Sequence, residues 1–168
     1  MAKDIPDGGT MLFVYFATER SKEEKKYKED SARIQSFVQE KKVVTMKATR
    51  EHFMEEVEKA DVIYIRGGDT QRLKSTLDTY PDFIRAIQGK VVSGSSTGAY
   101  VLSQYYFANS LGKVMEGYGC LPVGVICHYM SKIHPMPSDV NPVHEMEKYN
   151  THNKCILLKD FEWIIQEL

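Results

Sequence analysis

A serine between two glycines near the middle of the chain has the spacing of a catalytic nucleophile. Residues 94–98 read Gly-Ser-Ser-Thr-Gly, after the apolar pair Val91-Val92 and before an apolar segment compatible with a helix over residues 99–107. Gly-x-Ser-x-Gly between a strand and a helix is the pattern of a nucleophile elbow, in which a strained turn exposes the serine hydroxyl. The pattern predicts Ser96 as the nucleophile, although an ordinary glycine-bounded turn would also fit it.

A serine hydroxyl is a weak nucleophile at neutral pH and needs a positioned base, usually histidine. Of the five histidines, only His128 directly follows a short apolar run after the elbow, residues 123–127. We therefore expect His128 at the same sheet edge as Ser96. His52 lies on a charged helix, and a surface role is favoured for the three histidines of the polar segment 129–153: His134, His144 and His152. No H-E-x-x-H pattern supports a metal site among them, so we predict none.

Two acidic residues could orient this histidine. Asp160 lies between two expected closing strands, residues 155–158 and 162–165, whereas Glu116 lies between Ser96 and His128. The position of Glu116 matches the Ser-acid-His order of α/β-hydrolases. Its glycine- and lysine-containing surroundings indicate an exposed segment, so Asp160 is favoured, with a simple turn residue as the alternative reading of Asp160.

The oxyanion formed during acyl transfer needs backbone N–H donors, each worth about 10²–10³ in rate. The N–H of Thr97, directly after the nucleophile, is one candidate. Gly67 or Gly68 of the segment Gly67-Gly68-Asp69-Thr70 could supply the second, because backbone approach is unhindered at glycine. The same glycines could instead form a helix entry capped by Asp69 or Thr70.

The remaining elements alternate between strands and helices. Apolar runs predict strands at residues 11–17, 42–48, 61–66, 90–95 and 123–127, and helical spacing predicts helices between the first four of them. This alternation favours an α/β fold, a three-layer sandwich with a mainly parallel sheet and helices on both faces. We expect a single domain over residues 1–168 with a loose tail at 1–10, and a long loop over 129–153. In such sheets the site lies at the carboxyl ends of the strands.

Composition restricts the range of partners. The formal net charge of −1 gives no electrostatic reason to expect nucleic acid. No apolar run approaches the roughly 18–20 residues of a membrane span, and residues 1–10 lack the apolar core of a signal peptide. Three cysteines without metal-ligand spacing indicate reduced thiols. We expect a cytoplasmic protein with no cofactor, and an exposed edge strand would favour a homodimer.

Four segments together resemble the peptidase E (α-aspartyl dipeptidase) family, relatives of the cyanophycinases. The segment from Arg66 to Leu73 is similar to the family's Gly-Gly-Asn/Asp-Thr-x-x-Leu, and residues 93–99 resemble its Gly-x-Ser-Ala-Gly-Ala elbow. Residues 121–129 resemble the segment that carries its catalytic histidine, and residues 158–160 match its late Leu-Pro-Glu. The resemblance implies a flavodoxin-like fold related to class I glutamine amidotransferases.

The resemblance also implies a set of roles. Ser96 would be the nucleophile, His128 the base and Asp160 the orienting acid, with the amides of Gly68 and Thr97 as the oxyanion hole. The candidate substrate contacts are Gly67, Asp69 and Lys132. We therefore expect a serine peptidase-like hydrolase that cleaves a dipeptide or other small amide through an acyl-enzyme.

Three departures from the family pattern bear on this expectation. Thr97 stands where the family has alanine, and Asp160 stands where it has glutamate. No arginine follows the histidine, since the last arginine is Arg85. Lys132 or Lys148 would be an imperfect substitute for a bidentate arginine, so strict Asp-X specificity is not expected. The alternatives are an inactive homologue that acts as a binding module and, less favoured, an esterase with Glu116 as the acid.

Overall fold

The computed structural model describes residues 5–38, 40–149 and 154–166. The chain divides into two compact units, Met1–Gly98 and Ala99–Leu168, which are described separately. That the two form one domain stays a prediction. None of the helices in the described ranges is long and apolar enough to cross a membrane.

The first unit is built on a fully parallel sheet with strand order β2-β1-β3-β4. Its elements are β1 (Thr10–Val14), α1 (Arg20–Phe37), β2 (Val44–Lys47), α2 (Phe53–Lys59), β3 (Val62–Ile65), α3 (Thr70–Leu77), α4 (Phe83–Ala86) and β4 (Val91–Gly94). A short helix, α5 (Thr97–Leu102), begins in this unit and continues in the next. The α/β class with mainly parallel strands is confirmed.

The apolar run of β1 becomes the centre of this unit because strands flank it on both sides. Its residues Met11, Leu12, Phe13 and Val14 are all buried. The polar helix α1 contributes a buried carboxylate as well as apolar contacts: Asp30 forms an ion pair with Arg66 and accepts a hydrogen bond from the Tyr15 hydroxyl at 3.1 Å. This pairing satisfies a charge that would otherwise be costly to bury, and it anchors the end of β3 to α1.

The second unit carries a sheet with strand order β6-β5-β7-β8. Its elements are β5 (Ser103–Ala108), β6 (Lys113–Glu116), β7 (Leu121–Cys127), α6 (Pro142–Tyr149) and β8 (Cys155–Leu158). The β5–β7 and β7–β8 pairs are parallel, and β5–β6 is an antiparallel hairpin. The strand predicted at residues 123–127 is confirmed, and α6 lies inside the segment predicted as a long loop.

Two expected elements are wrong. Residues 103–107 form β5 and do not continue the elbow helix. Tyr105, Tyr106 and Phe107 are aromatic residues that fit a buried strand, and α5 ends at Leu102. The second closing strand is also absent: residues 162–166 have no strand pairing, and Trp163 and Ile165 are 75% and 73% exposed.

Close packing between α5 and β3 fixes the start of the elbow helix. A Cβ added to Gly98 would overlap the carbonyl oxygen of Ile65. Only glycine allows this approach, because any side chain would force the two backbones apart.

Gly98→Ala should therefore lower the free energy of unfolding by about 3 kcal/mol, at the upper end of the cost of overpacking. Urea denaturation followed by circular dichroism measures this. Gly89→Ala is the control, because its added Cβ meets nothing within 4 Å and only the positive φ of +75° opposes it, at about 1 kcal/mol. Equal losses for the two variants would contradict the close-packing explanation.

Candidate active site

Ser96 lies in a strained turn between β4 and α5. Its φ is +50°, a backbone conformation that residues other than glycine rarely adopt. The turn is fixed by two backbone hydrogen bonds, from the Ser95 N–H to the Ile65 oxygen at 3.0 Å and from the Gly98 N–H to the Ser95 oxygen at 2.9 Å. The turn therefore has the local geometry expected of a nucleophile elbow.

The loop after β3 contacts this turn directly. The N–H of Gly67 donates to Ser95 Oγ at 3.1 Å, and the Tyr64 hydroxyl lies 2.9 Å from the same oxygen. A Cβ added to Gly67 would come within 2.9 Å of the Ser96 Cβ. The structure thus brings the predicted oxyanion loop and the predicted nucleophile together within the first unit.

The side chain of Thr97 joins the same loop. Its hydroxyl donates to the Gly68 carbonyl oxygen at 2.8 Å and lies 3.0 Å from the Thr70 hydroxyl. The N–H of Gly67 is already bonded to Ser95, whereas the N–H groups of Gly68 and Thr97 have no acceptor within the described ranges. Of the two glycines that the sequence left open, Gly68 is the one whose donor is available.

Asp69 caps the helix that follows the loop. Its Oδ1 accepts the N–H of Arg72 at 2.8 Å, so Asp69 and not Thr70 is the N-cap of α3. Its own N–H donates to the carbonyl oxygen of Ala17 at 3.0 Å. Asp69 is thus engaged within the first unit, and a role in binding substrate stays a prediction.

In the second unit, His128 and Asp160 form a hydrogen-bonded pair. His128 Nδ1 lies 2.7 Å from Asp160 Oδ1. The pair forms because β7 and β8 are parallel neighbours with Cys127 opposite Leu158, so the residues beyond their carboxyl ends meet. The N–H of Tyr129 continues the ladder with a 2.9 Å hydrogen bond to the Leu158 oxygen.

The Asp160 carboxylate is held on both oxygens. Ser131 Oγ donates to Oδ2 at 2.5 Å while His128 occupies Oδ1. These two hydrogen bonds hold the pKa of Asp160 below its ordinary value. The carboxylate is therefore ionised at neutral pH and accepts a hydrogen bond from Nδ1–H of His128, which leaves Nε2 as the ring nitrogen that can take up a proton.

Sequence reasoning missed two neighbours of this pair. Ser131 Oγ also accepts the N–H groups of Ile133 at 3.1 Å and His134 at 2.9 Å, so one hydroxyl closes the turn and contacts the acid. The His134 ring packs on His128 with 4.3 Å between centroids. The only sequence signal for Ser131 is its position three residues after His128. This spacing becomes informative only once the structure places Asp160 beside Ser131.

Unusual backbone conformations concentrate at these same positions. The non-glycine residues of the described ranges with positive φ are Ser96, His128, Met130 and Phe161. Each one is a predicted catalytic residue or lies within two residues of one. Strained backbone persists where the surrounding structure requires it, and it is concentrated at functional sites.

The competing residues are engaged elsewhere. Glu116 accepts a 2.6 Å hydrogen bond from the Tyr149 hydroxyl. His52 lies 3.9 Å from Glu55, His144 is exposed on α6, and His152 falls outside the described residues. No group of three metal-ligating side chains occurs within the ranges that the structure describes.

Cys120, Cys127 and Cys155 form no disulfide within the part of the chain that the structure describes. Burial raises the pKa of Cys127, next to the histidine, to about 12 and that of Cys155 to about 11. Both are therefore protonated at neutral pH, and a thiol in that state is a poor nucleophile. Serine is the better nucleophile candidate in this chain.

Cationic side chains line one cleft of the first unit. It has a volume of about 370 Å³ and is lined by Glu19, Arg20, Arg50, Arg72 and Thr76. Arg50 is paired with Glu23 at 2.9 Å, whereas Arg20 and Arg72 form no ion pair within the described ranges. The arginines follow three different strands, so the sequence alone did not group them. In the second unit, Lys148 is paired with Glu145 at 2.8 Å and Lys132 is exposed.

Comparison with solved structures shows the fold. A peptidase from an acI-B1 Actinobacterium aligns with a TM-score of 0.64 and 23% identity, covering 88% of this chain and 65% of its own. A Listeria monocytogenes EGD-e protein assigned to peptidase E aligns with a TM-score of 0.56 and 19% identity. The alignment covers 92% of this chain and 79% of the Listeria protein. This chain thus spans less than two thirds of the length of the Actinobacterium structure.

No curated protein matches the chain. The family model for peptidase family S51, however, matches residues 2–167. The resemblance of its four segments therefore extends over nearly the whole sequence, and the chain belongs to peptidase family S51, the peptidase E family.

Proposed function

We propose that this protein is a serine peptidase that cleaves a dipeptide or other small amide through an acyl-enzyme. The observation that carries the proposal is the 2.7 Å hydrogen bond between His128 and Asp160. The two residues lie in separate stretches of the sequence, and their pairing is the geometry required of a base and its orienting acid. Membership of family S51 and the strained turn at Ser96 support the same activity.

In the proposed mechanism, His128 Nε2 removes the proton from Ser96 Oγ as this oxygen attacks the substrate carbonyl. The resulting tetrahedral intermediate collapses when Nε2 returns the proton to the leaving amine, which breaks the C–N bond and leaves an ester on Ser96. Water, deprotonated by the same nitrogen, then hydrolyses the ester. Asp160 keeps the proton on Nδ1 throughout and stabilises the transient imidazolium.

In this proposal, the N–H groups of Gly68 and Thr97 stabilise the negative oxygen of the tetrahedral intermediates that form during acylation and during hydrolysis of the ester. Both groups belong to the first unit, in which the Gly67–Gly68 loop contacts the elbow, and neither has another acceptor in the described ranges. Prealigned donors of this kind lower the barrier without reorganising during the reaction.

Among the proposed substrate contacts, Lys132 has an exposed ammonium group with no ion pair in the described ranges. Gly67 and Asp69 form hydrogen bonds within the first unit: the Gly67 N–H donates to Ser95 Oγ, and the Asp69 carboxylate accepts an N–H at the N-terminus of α3. We assign these two to holding the loop that faces the substrate, and Lys132 to contacting a negatively charged group of it.

Ser96→Ala and His128→Ala should each reduce kcat by at least about 10³-fold, because the members of a triad act as a unit. Hydrolysis of a panel of dipeptides and aminoacyl p-nitroanilides measures this. Ser110→Ala, in an exposed turn, is the control and should leave the rate unchanged. A wild-type protein that is folded but hydrolyses none of the panel would favour a binding module instead.

Asp160→Asn should reduce kcat by about 10³–10⁴-fold, because an amide cannot hold the histidine in the required tautomer. Glu116→Gln should stay within a few-fold of the wild type, since Glu116 contacts Tyr149 and not His128. Measuring both rates on one substrate separates the two candidate acids. A large loss for Glu116→Gln with a small one for Asp160→Asn would reverse the assignment.

Ser131→Ala should raise the pKa of Asp160, because one of the two hydrogen bonds that lower it is removed. The carboxylate would then take up its proton at a higher pH as the solution is acidified. Carbon-13 NMR titration of the aspartate carboxyl groups measures the shift, with Ser110→Ala as control. An unchanged Asp160 titration would contradict the role of the Ser131 hydrogen bond.

A further inference from the structure

We propose that the side chain of Thr97 is a positioning residue that holds the Gly68 amide in the orientation needed for the oxyanion. This role is separate from that of the Thr97 backbone N–H, and its catalytic consequence rests on the proposed function. The Thr97 hydroxyl has no counterpart in the family pattern, which has alanine at this position.

The Thr97 side chain is buried and fully engaged. It is 2% exposed, and its hydroxyl donates to the Gly68 carbonyl oxygen at 2.8 Å. The Thr70 hydroxyl lies 3.0 Å away and can donate to Thr97 Oγ1, which has already given its own proton to Gly68. A hydroxyl in this position acts as a fixed link between the elbow and the loop.

This link completes a pair of restraints around the oxyanion donor. The peptide before Gly67 is held by the hydrogen bond from the Gly67 N–H to Ser95 Oγ. The peptide after Gly68 is held at both ends, since its oxygen accepts from Thr97 and its N–H, that of Asp69, donates to Ala17. The peptide between Gly67 and Gly68, which carries the Gly68 N–H, lies between these two restrained peptides.

These restraints limit the rotation of this peptide. Two consecutive glycines have access to far more backbone conformations than other residues, so the direction of the Gly68 N–H is not fixed by the loop sequence. Threonine is suited to restraining it because its branched Cβ limits χ1 and little entropy is lost when the hydroxyl is fixed. The same residue thus supplies one oxyanion donor through its backbone and orients the other through its side chain.

Three variants test this role. Thr97→Val keeps the shape and removes the hydroxyl, and should lower kcat roughly 10–100-fold with KM nearly unchanged, as a partial loss of an oxyanion donor would. Thr97→Ser keeps the hydroxyl and should stay within about threefold of the wild type. Thr97→Ala introduces the residue of the family pattern and should lower kcat as Thr97→Val does. It replaces Thr97→Val in the test if that variant does not fold.

A second measurement does not depend on turnover. Amide hydrogen exchange followed by NMR should be faster at Asp69, whose N–H donates to Ala17 from the same peptide that accepts from Thr97, in Thr97→Val than in the wild type. The expected change is about tenfold, which corresponds to about 1.4 kcal/mol. Thr45→Val is the control, because Thr45 also bonds two side chains, Tyr27 and Ser31, but lies on β2. It should change neither kcat nor exchange at Asp69.

The outcomes separate the two proposals. Wild-type kcat together with wild-type exchange in Thr97→Val would overturn the positioning role, and so would a loss that Thr97→Ser does not rescue. If the wild type has no turnover, the proposed function fails, while the exchange rate at Asp69 still decides whether the hydroxyl holds the loop.

Discussion

The hydrogen bond between the His128 ring and the Asp160 carboxylate is the contact on which the proposed chemistry depends. It exists because β7 and β8 run in parallel with Cys127 opposite Leu158, so that the next residues of both strands emerge at one edge. His128 itself has a left-handed φ of +59°, a conformation that residues other than glycine rarely adopt. Ser131 holds the other carboxylate oxygen at 2.5 Å, so the acid has little freedom to turn away.

The first unit meets a different constraint, which is the close approach of backbones at glycine. Gly98 packs against the carbonyl of Ile65, and Gly67 packs against Ser96. These contacts leave no space for a Cβ, so the elbow and the loop after β3 have fixed positions relative to each other. Two hydroxyl groups, those of Ser95 and Thr97, then tie the loop to the elbow by hydrogen bonds. Thr97, a departure from the family pattern, therefore has a structural role in this chain.

The three predicted catalytic residues share a simple relation to the fold: each follows an apolar run that forms a strand. Ser96 follows β4 and His128 follows β7, and the run itself predicts where the side chain will lie. The helix predicted over residues 103–107 is wrong because a short apolar run suits either a helix or a strand, and only the pairing of this run with β6 and β7 decides between them. The contact of Ser131 with Asp160 and the arginine-lined cleft depend on side chains from segments that are distant in the sequence, so no local pattern predicts them.

The most direct test of the account is covalent labelling of the folded protein with a fluorophosphonate, with the modified residue located by mass spectrometry. Such a reagent reacts with a serine that a base has activated. The account predicts phosphonylation at Ser96 in the wild type and its near-complete loss in His128→Ala. Labelling of the wild type at another residue, or labelling at Ser96 that persists when His128 is removed, would contradict it.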